Sequence, residues 1–96
     1  MPRLKWSPAA LRDVARLHSF LAANSNEAAQ RAIKVIRQRV KALAKHPQMG
    51  RSVEELPPEF REWVMELGRG AYIALYHYAE DEVVILAVRH GREAGY

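Results

Sequence analysis

Residues 61–89 read REWVMELGRGAYIALYHYAEDEVVILAVR, three apolar runs separated by Gly68-Arg69-Gly70 and Ala79-Glu80-Asp81-Glu82. The runs, at 61–67, 71–78 and 83–89, are rich in β-branched and aromatic residues. The separators are short enough to be hairpin connections, so the pattern predicts an antiparallel three-stranded meander. Alternation puts Tyr72, Ala74, Tyr76 and Tyr78 on one face of the middle strand and Ile73, Leu75 and His77 on the other. The tyrosine face reads as amphipathic and suited to a partner peptide or a stacked base. From Val83 to Val88 every position is apolar, the pattern of a central strand buried on both faces. In so small a domain only the chain's own tail or a second polypeptide can cover the second face, so a partner is expected.

Upstream of the meander the period becomes helical. Ser7-Pro8, a serine N-cap before a proline at the first helical position, opens a helix predicted over 8–23. Its stripe is Ala10, Val14, Leu17 and Leu21, and Asn24-Ser25-Asn26 breaks it. A second helix is predicted over 27–45, with Ala29, Ile33, Ile36, Val40 and Leu43 on one side and Arg31, Lys34, Gln38, Lys41 and Lys45 on the other. His46-Pro47-Gln48-Met49-Gly50 stops it. Arg3-Leu4-Lys5-Trp6 alternates and reads as a short first strand. The expected fold is α+β, one domain over 1–96, with order β-α-α-β-β-β and the helical hairpin on one face of the sheet.

The 96 residues include no cysteine, which excludes a disulfide scaffold, thiol catalysis and Cys-based zinc sites. No apolar stretch suits a membrane span or a signal peptide, so the chain reads as cytoplasmic, with no membrane partner. Net charge is +4 but unevenly spread. Residues 1–51 carry eleven Lys/Arg against two acids, a net of +9, and residues 52–96 carry four Arg against nine acids, a net of −5. A basic half of this kind attracts phosphates or an acidic protein. His18, His46, His77 and His90 lack ligand spacing, and no phosphate-binding glycine loop or nucleophile elbow occurs, so neither metal nor cofactor is expected. The solvated basic face of the second helix and the arginines near the meander ends (Arg61, Arg69, Arg89, Arg92) remain as candidate binding groups.

Several short motifs occur in a fixed order: Trp6-Ser7-Pro8-Ala9, Leu11-Arg12-Asp13, Pro47-x-x-Gly50-Arg51, Arg61 opening a strand, Tyr72-x-x-x-Tyr76, and Val88-Arg89-His90-Gly91-Arg92. Together they resemble the ParE/RelE superfamily of bacterial toxins from type II toxin-antitoxin modules. The resemblance implies a cognate antitoxin, small and acidic, that wraps the toxin in a hetero-oligomer. It also implies one of two targets: DNA gyrase, poisoned by ParE-like members, or messenger RNA on the ribosome, cut by RelE-like members. The Trp6-Ser7-Pro8 opening, the arginine-rich second helix and a meander without lysine favour the ParE side, on which no residue is catalytic. On the RelE side the catalytic candidates are Arg61, Arg69, His90, Arg92 and Tyr96. The partner-binding candidates are Arg31, Lys34, Lys41, Lys45, Tyr72, Tyr76, Arg89, His90 and Arg92. A module that keeps the fold and only docks a partner is the third reading.

Overall fold

The computed structural model describes residues 1–68 and 70–93. Its elements are β1 (Arg3–Trp6), α1 (Pro8–Ala22), α2 (Asn26–Lys45), β2 (Arg51–Ser52), β3 (Phe60–Leu67), β4 (Gly70–Ala79) and β5 (Glu82–His90). They form one five-stranded sheet of order β1-β5-β4-β3-β2 with both helices on one face. The expected meander is β3-β4-β5, antiparallel throughout. Two features extend it: β1 joins β5 in parallel, and the two-residue β2 adds to the far edge of β3.

Each helix starts where a serine can cap it. Ser7 Oγ accepts from the Ala10 N–H at 3.0 Å, and Ser25 Oγ accepts from the Ala28 N–H at 3.1 Å. Ser7 serves twice, because its hydroxyl also donates to the Leu86 carbonyl at 3.2 Å and fastens the start of α1 to β5. Such caps contribute about 1 kcal/mol each. The β4–β5 hairpin turns through Glu80 and Asp81, both at positive φ (53° and 59°). This is the backbone twist that a two-residue hairpin needs.

The core lies between the helices and the sheet. Ile36, Val40 and Leu43 of α2 meet Met65, Tyr76, Val83, Ile85 and Val88, all nearly or fully excluded from solvent. Two expectations are corrected here. The tyrosine face of β4 is the core face: Tyr72 and Tyr76 are buried under the helices, so neither presents its side chain to a partner. The large rings fill the space, and Tyr76 finds backbone partners for its hydroxyl, which makes burial of a phenol affordable.

The second correction concerns the all-apolar run of β5. Leu75 pairs with Ala87 but Tyr76 pairs with Ile85, so Leu86 is the extra residue of a bulge. The bulge reverses side-chain parity and sends Val83, Ile85 and Val88 all to the core. Val84, Leu86 and Ala87 stay half-exposed on the sheet's outer face. Continuous hydrophobicity here reflects a change of phase along the strand as much as its central position. On the outer face Val64, Leu75 and Val84 form an apolar strip that the described residues leave partly exposed, while Ile73 within it is 7% exposed and covered.

Candidate functional site

The sequence motifs fold into two structural latches and two charged surfaces. In the first latch, the Tyr76 hydroxyl donates to the Pro47 carbonyl at 2.7 Å and accepts from the Gly50 N–H at 2.9 Å. Arg61 closes the same turn, its Nη1 donating to the carbonyls of Gly50 at 2.8 Å and Gln48 at 3.3 Å. Arg51 pairs with Glu62 at 3.2 Å on the neighbouring strand. The Pro47-x-x-Gly50-Arg51 motif is therefore a clasp between the end of α2 and the sheet. Burial pushes the Tyr76 phenol up from its ordinary value, while the Gly50 N–H and the nearby Arg61 charge pull it partly back. The hydroxyl keeps its proton and can donate at neutral pH.

The second latch ties α1 to β5 beyond the point where β1 ends. The Val88 N–H donates to Asp13 Oδ2 at 2.9 Å, so a helix carboxylate takes the acceptor position that a further β1 residue would have filled. Arg16, one turn on, reaches Asp13 at 3.7 Å and Glu93 at 2.6 Å. Glu93 folds back on the strand end, accepting from the His90 N–H at 2.7 Å, while Arg89 Nη1 donates to the Glu93 carbonyl at 3.0 Å. The His90 ring stands edge-on to Tyr72, centroids 5.2 Å apart, and its Nδ1 accepts from the Arg92 N–H at 3.1 Å. Asp13 and Glu93 were not among the expected functional residues. Their local partners, Arg16 for Asp13 and the His90 N–H for Glu93, do not reveal the latch, whose Asp13–Val88 and Arg16–Glu93 contacts span 75 and 77 positions of the chain.

Glu93 supplies a pH-dependent contribution. The His90 N–H holds its carboxyl below the ordinary value of 4.5; partial burial opposes this and Arg16 reinforces it. A carboxylate whose folded value is depressed stabilises the fold above its unfolded value and loses that contribution as pH falls through the folded one. Thermal melts of the wild type and Glu93→Gln across the acid range should show a gap at neutral pH that narrows once the pH falls below the ordinary value of 4.5 and closes after it has passed the lowered folded value. A gap that persists unchanged into stronger acid would contradict this assignment.

Beside this corner lies a cleft of about 360 Å³ between α1 and the end of β5, walled by Leu17, Phe20, Leu21, His90 and Arg92. Phe20 is 71% exposed there. A second cleft, about 320 Å³, lies between β1 and the helical hairpin, with Leu4, Trp6, Leu11 and Val14 inside and Arg37 and Lys41 on the lip. Arg31, Lys34, Lys41 and Lys45 are exposed on α2, as their spacing predicted, and Arg37 joins them. Arg37 was missed, although it continues the helical spacing between Lys34 and Lys41.

Among the described nuclease candidates, Arg61 stands apart from His90 and Arg92. Arg61 pairs with Tyr76 on β3 and His90 pairs with Tyr72 on β5. Two strand spacings and four residues of rise separate their Cα atoms by roughly 16 Å. His90 and Arg92 are neighbours, and Arg89 turns toward the same strand end. Arg69 and Tyr96 lie outside the described residues.

The family model described as "ParE toxin of type II toxin-antitoxin system, parDE" matches residues 4–95. The chain belongs to the ParE toxin family. As a ParE-family toxin it comes from a type II toxin-antitoxin system, and the family implies a cognate antitoxin. The chain is 33% identical over 93 residues to the Caulobacter vibrioides protein named Toxin RelE3, covering 97% of this chain and 98% of that one. A solved structure of the chromosomal ParDE system from P. aeruginosa superposes with a TM-score of 0.75 at 26% identity, over 94% of this chain and 96% of that one. A conserved hypothetical protein of Helicobacter pylori shares the fold, with a TM-score of 0.59 at 16% identity over 97% and 98% of the two chains. Among the described residues no helix is long and apolar enough to cross a membrane.

Proposed function

We propose that this ParE-family toxin arrests growth by binding and poisoning DNA gyrase in the cytoplasm, without making or breaking a bond itself. Its antitoxin is small and acidic and neutralises it in a hetero-oligomer. The observation that carries this reading is the placement of Arg61: its Nη1 is held by the carbonyls of Gln48 and Gly50, away from His90. A phosphodiester cleaved through its own 2′-hydroxyl needs a base, an acid and cations around one phosphate. The separation of roughly 16 Å between the Cα atoms of Arg61 and His90 argues against one phosphate bridging them, which supports the binding reading. The contacts proposed for inhibition are the basic face of α2 (Arg31, Lys34, Lys41, Lys45) and the corner formed by Arg89, His90 and Arg92. Desolvated arginines at such positions commonly anchor interfaces, and acidic partners gain on-rate from the same charges.

Purified toxin added to gyrase and relaxed plasmid should block supercoiling or trap cleaved DNA, and the antitoxin should restore activity. Unimpaired supercoiling, together with cuts inside codons on translating ribosomes, would replace this reading with the RelE-like one. That alternative draws on the name of the Caulobacter relative and on the His90–Arg92 pair. Under it, His90→Ala should abolish cutting while antitoxin affinity stays nearly unchanged. Normal growth on induced expression of folded protein would leave only the partner-docking module.

A further inference from the structure

We infer that the exposed face of α2 is a contact surface for the phosphate backbone of duplex DNA. The inference goes beyond gyrase binding and stands without it, because it concerns the toxin and DNA alone. Arg31, Lys34, Arg37, Lys41 and Lys45 repeat every three or four residues, so they fall on one side of the helix in successive turns. From the first to the last they extend about 21 Å along the axis. Among the described residues the ion pair on this face is Arg31 with Glu27, at 3.9 Å and on exposed side chains. The remaining four cations carry no salt bridge or hydrogen bond within the described fold. Their neighbours along the stripe are Gln30 and Gln38, both exposed hydrogen-bonding amides.

The composition of this face suits a DNA backbone better than the core of a protein interface, so the α2 part of the inhibitory contact proposed above would fall on the DNA that gyrase holds. Protein interfaces are depleted in lysine and organised around buried aromatic or aliphatic anchors. Among the described residues the large exposed apolar side chains are Met1, Leu11, Phe20, Met49 and Leu56, and none is on α2. A face of lysine, arginine and glutamine without an apolar anchor matches what phosphate oxygens accept. A hollow of about 430 Å³ beside the face has Ile33 in its lining and is rimmed by His18, Gln30, Lys34, Arg37, Gln38 and Lys41, which carries the cationic surface toward α1. Such contacts carry no base readout, so binding should be independent of sequence and steeply salt-dependent.

The test is fluorescence anisotropy on the full chain with a short labelled DNA duplex of arbitrary sequence and no gyrase. Binding is expected with a Kd of about 10⁻⁴–10⁻⁶ M at physiological salt. With about four phosphates neutralised, affinity should fall roughly a hundredfold between about 50 and 200 mM salt. Lys34→Gln/Lys41→Gln should weaken binding at least about tenfold and reduce the salt slope by about two. Arg3→Gln/Lys5→Gln removes the same net charge from the sheet side and should change affinity by less than about twofold. Both pairs alter exposed side chains, and a thermal melt checks that each variant is folded. Equal weakening by the two pairs would overturn the proposal, since net charge alone would then account for the affinity. Absence of DNA binding would also overturn it, as would α2-dependent binding of a polyglutamate peptide in place of the duplex.

Discussion

Replacing Gly50 by alanine should destabilise the fold by about 3 kcal/mol and lower Tm by more than about 10 °C. A Cβ at this position would sit 2.5 Å from the Tyr76 hydroxyl and 2.7 Å from the Glu62 carbonyl, and the latter belongs to the backbone of β3 and cannot step aside. Relief requires the turn to lift from the sheet, which breaks the Gly50 N–H bond to Tyr76 and the Arg61 bond to the Gly50 carbonyl. Tyr76→Phe should cost about 2 kcal/mol by a different route, leaving the Gly50 N–H and the Pro47 carbonyl without this partner. Combined, the two changes should cost less than their sum by at least about 1 kcal/mol, because each alone already breaks the Gly50 N–H bond to Tyr76 and that bond can be lost only once. Denaturant titration of the four proteins measures this coupling. Strict additivity would show that the alanine methyl leaves the Gly50–Tyr76 bond intact.

Asp13→Ala should cost about 2 kcal/mol, and the loss should be localised at the seam between α1 and β5. Its carboxylate holds the N–H of Val88, a residue fully shielded from solvent, at a stretch of β5 that β1 is too short to reach. Without it that N–H faces the seam unpaired and Arg16 loses one of its two acids. Amide exchange at Val88 should accelerate together with the fall in Tm. Asp13→Asn, which keeps an acceptor oxygen and drops the charge, should recover about half of the loss. An alanine variant within about 0.5 kcal/mol of wild type would mean that the carboxylate is dispensable at this seam.

The sequence pattern located both helices and the meander, because apolar period and capping residues are local signals that tertiary packing did not override here. Ser7-Pro8 and the Asn24-Ser25-Asn26 break set boundaries close to those observed. Alternation in β4 likewise sorted its side chains into the correct two sets. It could not say which set faces inward, since the set with tyrosines becomes the better core only after Pro47 and Gly50, far along the chain, supply hydrogen-bond partners. The bulge at Leu86 was invisible because every neighbour is apolar and a phase change leaves no mark in an unbroken run. β2 is two residues long, too short for any period. At the candidate site the basic stripe of α2 was legible from spacing alone. The Asp13 and Glu93 latches depend on distant partners and were not.

Pairing β1 beside β5 also sets the order of events during synthesis. The Ser7 hydroxyl bonds the carbonyl of a residue 79 positions later, so the opening strand emerges with no neighbour to join. At about 5–20 residues per second that neighbour follows roughly 4–16 s afterwards. Until then the helical hairpin has no finished floor to rest on, and the greasy undersides of both helices remain open to chaperones. A nascent chain halted before β5 thus lacks the strand to which β1 and the start of α1 are fastened.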